Sequence, residues 1–336
     1  MTLNQLRYLL AIVDANFNIS LAAARTNATQ PGISRQLKLI EEELGFRVFA
    51  RKGKNLQRLT RAGEELIARA RAIVGEIRNI ETLAANHREE TRGLLRLAAT
   101  QTLGRYVLPS ALLRLRARFG GVQVRLRPGG QDECLDLLDR DEIDLALVST
   151  ERSRPPGDVA IPLFHWNRAV IAPRTSALAA RAGKLTLAEL AALPLVAADA
   201  ATHSQYKVGR VFHDAGLVPN IACTARDADT IKAFVRLDLG TGIVAEMALL
   251  PADDDLVDLG GSALFPLCTT WAILRSDRIQ RDYLFELLRE LAPMLPREDI
   301  LALIEGAEPD DLTAKVLHWR MMAARAPIAA PGPVTA

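Results

Sequence analysis

Apolar positions at the start of the chain recur with a helical period. Leu3, Leu6, Leu10 and Val13 share one face of a first predicted helix. A second, short helix is predicted after a cap-like Ser20, through Leu21, Ala22, Ala23 and Ala24. "TNAT" then breaks the pattern. Pro31 stands where a first-turn proline is tolerated, so a third helix is expected from near Gln30, with Gly45 as its stop. On a helical wheel, Ile33, Leu37, Ile40 and Leu44 gather on a buried face, while Pro31, Ser34, Arg35 and Lys38 fall outward. Two short helices joined by a turn, the second opening with polar donors, describe a helix-turn-helix. Val48 and Phe49 before, and Leu56 and Leu59 after, a tip of Lys52-Gly53-Lys54-Asn55 predict a basic hairpin, or wing.

From Thr60 the period changes. Leu66, Ala70, Ile73, Ile77, Ile80 and Ala84 follow in alternating steps of four and three, the seam of a coiled coil. About 29 helical residues would span roughly 43 Å. Two readings fit: self-association, or one amphipathic helix packed on its own domain. The narrow seam, flanked by Arg69, Arg71, Glu76 and Arg78, favours the first.

Beyond Gly93 strands and helices alternate. "LLRLAAT", "VQVRLR", "IDLALVS", "AVIAP", "PLVAA", "TGIVAE" and "TTWAILRS" read as strands. "YVLPSALLRLRARF", "CLDLLDR", "LTLAELAAL", "DADTIKAFVRLDLG" and "RDYLFELLRELAPML" read as helices. The alternation predicts an α/β architecture with mostly parallel sheets, and its length predicts two subdomains. The Ala/Pro-rich end, "AARAPIAAPGPVTA", is expected to be disordered.

Charge sharpens the picture. The first sixty residues hold nine basic and four acidic side chains, about +5, against +2 for the whole chain. The positive charge is therefore concentrated on the helix-turn-helix, as a nucleic-acid partner requires. In the third helix the acidic block Glu41–Glu43 would be repelled by phosphate, so only the N-terminal half can dock in a groove. The expected docking residues are Thr29, Gln30, Pro31, Ser34, Arg35 and Lys38, with Arg51, Lys52 and Lys54 on the wing. Gln30 and Arg35 have the chemistry for base edges; Ser34 and Lys38 suit phosphates.

Other chemistry is weakly signalled. Cys134, Cys223 and Cys268 lie far apart, without a CxxC, which indicates neither a zinc ribbon nor a dithiol motif and suits a reducing cytosol. His87, His165, His203, His213 and His318 show no ligand spacing, so no metal site is expected. Gly240-Thr241-Gly242 lies between a helix and a strand, the wrong order for a dinucleotide fingerprint. Asp227 and Asp229 read as caps of a helix starting near Thr230. There is no catalytic constellation, no basic-then-apolar leader and no uncharged apolar run of ~18 residues. The expectation is a cytoplasmic protein that is neither an enzyme nor membrane-bound.

The segment "LRYLLAIVDANFNISLAAARTNATQPGISRQLKLIEEELGFRVFARKGKNLQRLTRAGEELI" resembles the LysR-type transcriptional regulators. "QPGIS", "ARKGK", "RYVLP", "FHWNR" and "DADTIKAFVRLDLGTGIVAEMA" are similar to the CysB and Cbl subgroup. The resemblance extends to about residue 300. It implies a winged helix-turn-helix over residues 1–60, a linker and dimerisation helix over 61–90, and an effector domain over 91–300. That domain would have two Rossmann-like lobes, similar to periplasmic binding proteins. Lobe I would cover about 91–162 and 266–300, lobe II about 163–265, followed by a C-terminal extension over 301–336. It also implies a homotetramer, a dimer of dimers, that binds promoter DNA, uses no cofactor and responds to a small metabolite. For this subgroup the pathway is sulfur assimilation, with sulfate, thiosulfate, O-acetylserine and N-acetylserine as candidate effectors.

The family's anion site maps onto Thr100, Gln101 and Thr102 in "ATQT", Ser149 and Thr150 in "LVST", and Trp166 in "HWNR". The family's glutamine after the second threonine is Leu103 here. Its "TFGFTGRS" loop is replaced by "DAATHSQY", which offers Thr202 and His203. Thr100 and Thr102 fit an anion trap or simple helix capping. His203 fits a pH-sensitive donor or an ordinary exposed histidine. A regulator of another pathway, a solute-binding protein and an α/β enzyme remain as alternatives.

Overall fold

The computed structural model describes residues 1–53, 55–151, 153–180, 185–198, 207–308 and 310–325. The chain divides into two compact units. One is Met1–Glu90 with Asp277–Arg281, and the other is Thr91–Ser276 with the chain from Asp282 onward.

The first unit begins with helices α1 (Leu3–Asp14), α2 (Ile19–Arg25) and α3 (Gln30–Leu44). The cap of α2 is Asn18, whose side chain accepts the Leu21 N–H; Ser20 lies inside the helix instead. Thr29 caps α3, and Gly45, the stop that the sequence predicts, ends it with φ 75° in the left-handed region. Ile33, Leu37 and Ile40 are buried against Leu6, Leu9, Ile12, Val48 and Phe49. The hairpin of β1 (Phe49–Lys52) and β2 (Asn55–Leu59) leads into α4 (Arg61–His87), capped by Thr60. Gly63 in its first turn lies against the Val48 carbonyl, leaving no room for a Cβ. Further along, Asn79 is buried and donates to the Asp277 carbonyl at 2.9 Å while accepting the Ile279 N–H at 3.0 Å. Residues 277–281 are thus hydrogen-bonded to α4.

The second unit holds two mixed five-stranded sheets rather than mostly parallel ones. The first builds from β3 (Arg92–Ala99), α5 (Gln101–Tyr106), α6 (Leu108–Arg118), β4 (Gly121–Pro128), α7 (Gln131–Asp139), β5 (Leu145–Glu151) and β6 (Val159–Trp166). The second builds from β7 (Arg168–Pro173), α8 (Leu187–Ala192), β8 (Leu195–Ala198), α9 (Lys207–Asp214), β9 (Ile221–Ala225), α10 (Ala228–Arg236), β10 (Thr241–Ala245) and β11 (Leu256–Asp258). Then β12 (Cys268–Leu274) returns to the first sheet, and α11 (Asp282–Leu291), α12 (Arg297–Ile304), α13 (Asp310–Thr313) and α14 (Trp319–Arg325) follow. Strand orders are β4-β3-β5-β12-β6 and β11-β7-β10-β8-β9.

Several expectations are corrected here. The helix expected over residues 106–119 is α6, Leu108–Arg118, with Pro109 in its first turn; a separate short helix, α5, precedes it and was not expected. Strand β6 carries the first sheet to Trp166, so the sheets part at Asn167, not near 162. Pro162 inside β6 is tolerated because β6 is an edge strand whose register shifts beside it. The described part of the expected C-terminal extension packs on this unit. Leu312 and Val316 join the main core, and Trp319 packs on Phe164 with ring centroids 5.4 Å apart.

A buried charge cluster links α5 to α10. Lys232 is only 3% exposed, and its ammonium donates to the Ala248 carbonyl at 3.0 Å and to Asp253 at 2.9 Å. Tyr106 donates its hydroxyl to Asp229 at 2.7 Å, and Arg105 pairs with the same carboxylate. Burial, then the hydrogen bond to Asp229, raises the Tyr106 pKa. For Asp253 burial alone would raise the pKa. Hydrogen bonds from Lys232, the Leu250 N–H and Arg236 outweigh it and hold the carboxyl below its usual range.

Two outcomes follow from this packing. Gly63→Ala gains helix propensity but meets rigid backbone, so it should lower stability by about 1–3 kcal/mol. An unchanged or raised urea midpoint by circular dichroism would contradict it. A depressed Asp253 pKa stabilises the fold above the unfolded value of about 3.9, and that contribution is lost as pH falls through the lower folded value. Asp253→Asn should therefore be less stable at neutral pH and show a shallower loss of stability below about pH 4. Urea titrations across that range check both parts.

Candidate functional site

Helix α3 explains its own polarity. Thr29, Gln30, Pro31, Arg35 and Lys38 are exposed and Ser34 is half-buried, so the N-terminal half presents a polar outer face. Gln30 donates to the Ser34 hydroxyl at 3.2 Å. The acidic half is used within the unit. Glu41 accepts the Val48 N–H at 2.9 Å and pairs with Arg51 at 3.0 Å, tying α3 to the base of the hairpin. Glu42 lies 3.5 Å from Lys38, and Glu43 takes the Met1 ammonium at 2.6 Å. Arg51, expected on phosphate, is thus already paired, whereas Lys52 is exposed near the tip. Lys54 lies outside the described residues.

The predicted seam on α4 splits in two. Ala70 is wholly buried in the core of its own unit, and Leu66 packs against that core, so neither presents a free contact surface. The reason is position: the first turns of α4 lie over α1 and β2, and Ile67 and Val74 complete that packing. Further along, Ile73 and Ile80 are exposed, Ile77 is half-buried, and Leu83, which the seam omitted, is 59% exposed. This apolar stripe has no cover within the described unit.

In the second unit a cleft of about 670 Å³ lies between the two sheets. Thr100, Thr102, Ser149 and Trp166, named from the sequence, all line it. Thr100 is the N-cap residue of α5, yet its side chain makes no capping bond. The Ser149 hydroxyl lies 3.0 Å from that of Thr270. Trp166 is 9% exposed, and its indole N–H is buried with no hydrogen-bond partner among the described residues. Leu103, Ile231, Ile243 and Val244 add apolar wall.

Two named residues fall elsewhere. Gln101 is exposed and does not line the cleft. Thr150 follows Ser149 on β5, so alternation turns it to the opposite face. There its hydroxyl donates to the Ser153 carbonyl at 2.5 Å and accepts the Trp271 indole at 2.8 Å. Thr202 and His203 lie outside the described residues.

Sequence reasoning missed Arg168 and Arg226, both in the lining. Arg168 is buried, pairs with Glu151 at 2.8 Å, donates to Cys268 Sγ at 3.2 Å and lies 5.7 Å from the Trp166 ring. A signal existed: an arginine heading an apolar strand, "RAVIAP", must be buried and therefore paired. Asp227 caps α10, and the Thr230 N–H, as the main cause, lowers its pKa, so the cleft also holds a carboxylate. Cys134 is buried, and burial, then Glu133, pushes its thiol up to about 11, away from thiolate reactivity. No described helix is long and apolar enough to cross a membrane, and no group of three or more potential metal ligands occurs among the described residues.

The cleft-bearing unit and the helix-turn-helix both have counterparts among known proteins. Residues 3–64 match the bacterial regulatory helix-turn-helix protein family, lysR type, and residues 88–295 match the LysR substrate binding domain. The chain is 36% identical over 308 residues to the HTH-type transcriptional regulator CysB of Haemophilus influenzae, covering 92% of this chain and 94% of that protein. The cofactor-binding domain of the Cbl transcriptional regulator superposes with a TM-score of 0.58 at 31% identity, covering 65% of this chain and 96% of that one. Full-length OxyR C199D from Pseudomonas aeruginosa shares the fold, with a TM-score of 0.66 at 22% identity over 87% of this chain and 97% of that one. With helix-turn-helix and cleft domain both matched, this chain belongs to the LysR family of transcriptional regulators, in its CysB- and Cbl-like branch.

Proposed function

We propose that this regulator controls genes of sulfur assimilation or sulfur-source use, and that it answers a small anionic or acylated-serine effector held in the cleft. The observation that carries the effector reading is the buried Trp166 indole N–H, which has no acceptor among the described residues and shares a cleft with Thr100, Thr102 and Ser149. An unsatisfied buried donor is costly, and an anionic oxygen would relieve it. The pathway rests on the likeness to CysB- and Cbl-type proteins.

In this reading α3 enters the major groove by its N-terminal half. Gln30 and Arg35 meet base edges, and Thr29, Pro31, Ser34 and Lys38 lie along the backbone. Lys52 and Lys54 reach flanking phosphates, with Arg51 bracing the hairpin. Ile73, Ile77, Ile80 and Leu83 pair α4 with a second copy, and dimers associate in pairs. The effector favours one lobe arrangement over another, and can do so only by binding the two unequally. That shift alters the spacing of the paired helix-turn-helix units on promoter DNA.

Three measurements test this. In a thermal-shift screen of the full chain with sulfate, thiosulfate, O-acetylserine and N-acetylserine, a true effector at 100 times its Kd adds about 2.7 kcal/mol. No shift with any of the four would remove this effector class. Trp166→Phe keeps the ring's bulk but removes the donor, and should weaken the active compound by about 10- to 100-fold; equal affinity in both proteins would refute the donor's role. Arg35→Ala should weaken specific DNA binding by about 1–3 kcal/mol and blur one base position, with binding throughout falling steeply with salt. An unaltered preference across operator variants would contradict the assignment.

A further inference from the structure

Trp166 ends β6 and Arg168 opens β7, with Asn167 alone between them. Both neighbours of Asn167 line the cleft, so whatever fixes Asn167 fixes two cleft walls. What fixes it is Glu246. The Asn167 N–H donates to Glu246 Oε1 at 2.8 Å, and the Glu246 N–H donates to the Asn167 carbonyl at 3.0 Å. Glu246 in turn stands between Ala245 and Met247, which also line the cleft.

The Glu246 side chain is only 3% exposed. A carboxylate so buried is tolerated only when paired. Its pairing comes from the end of the chain, where Arg320 Nε donates to Oε2 at 2.7 Å; His318 Nε2 lies 3.2 Å from Oε1 and 2.8 Å from Asn167 Nδ2. These two residues are themselves held in place on the first sheet. The His165 N–H donates to the Leu317 carbonyl at 2.9 Å, His165 Nε2 lies 3.0 Å from the Thr313 carbonyl, and Trp319 packs on Phe164. Arg320 also comes within 3.8 Å of Asp258 on β11, in the second sheet. The segment therefore grips both sheets beside the point where the chain crosses between them.

We propose that the C-terminal segment, residues 313–320, is a strap that positions the effector cleft, acting through Glu246 on the Trp166–Arg168 crossover. Glu246, His318 and Arg320 are positioning residues: none of them lines the cleft, yet together they set where the Trp166 donor and the Arg168 guanidinium stand. This rests on the effector reading of the cleft, but the strap itself can be measured without any effector. Arg320 is 66% exposed, so truncating it opens no cavity and leaves the core intact.

The test compares the full-length protein with Arg320→Ala, Arg320→Lys and Arg320→Ala combined with Glu246→Gln. Hydrogen–deuterium exchange of peptides spanning residues 160–170 is followed without effector, and affinity for thiosulfate and N-acetylserine is measured by calorimetry. Removing one charge-assisted bond to a buried carboxylate should speed exchange of those peptides by about tenfold or more and weaken the bound probe to a similar degree. Arg320→Lys should recover much of both. Glu246→Gln should not restore them in the Arg320→Ala background, because the strap's bond is still missing; full recovery there would show that an uncompensated charge alone had loosened the crossover, and would overturn the strap. Unchanged exchange in Arg320→Ala overturns the strap. Faster exchange with unchanged probe affinity overturns its action on the cleft. If neither probe binds the unaltered protein, the effector assignment fails, and exchange with its rescue pattern decides the strap alone.

Discussion

A polar hydrogen withheld from water needs an acceptor, and at Trp166 the described fold supplies none. Leaving such a donor unmade costs about 1–3 kcal/mol. The rest of the second unit can be understood around that cost. The first sheet extends through β6 far enough to bring the indole to the cleft, and the crossover at Asn167 turns the next residue, Arg168, into the same space. The hydroxyls of Thr100, Thr102 and Ser149 line it too. Under the proposed effector reading, a ligand oxygen accepting from these groups recovers part of that cost.

The first unit applies a different constraint. Its recognition helix must expose donors at one end and hold itself rigidly at the other. The acidic half of α3 does the holding: Glu41 takes N–H groups and Arg51 at the root of the hairpin, and Glu42 and Glu43 find cations nearby. These carboxylates therefore brace the geometry instead of opposing a polyanion. The same economy of position governs α4. Its first turns are spent on the core of its own unit, and only the later turns keep an apolar stripe exposed.

Much of this was legible in the sequence, for identifiable reasons. Helix α3, its Thr29–Pro31 start and its Gly45 stop follow from local rules that tertiary context did not override. The cap of α2 was misplaced because Asn18 and Ser20 are both competent, and only packing selects between them. Strand β6 is hard to read from sequence, because Pro162 argues against a strand except at a sheet edge, and edge position is a fact of topology. In the cleft, Thr100, Thr102, Ser149 and Trp166 came from family resemblance. Thr150 shares that resemblance, but alternation along β5 turns it away from the cleft. The C-terminal contacts with Glu246 join residues more than seventy positions apart, and no periodicity announces such a pairing.

The central claim is that the Trp166 indole hydrogen is the donor awaiting the effector. Among the chain's three tryptophans, Trp271 already donates to Thr150, which makes its indole an internal control. The most direct measurement is the indole region of a proton–nitrogen correlation spectrum of the full chain, with the Trp166 signal assigned as the one missing from Trp166→Phe. On titration with an anion that calorimetry shows to bind, that signal should move downfield in step with occupancy while the Trp271 signal stays in place. Saturated binding with the Trp166 signal unmoved would contradict the account.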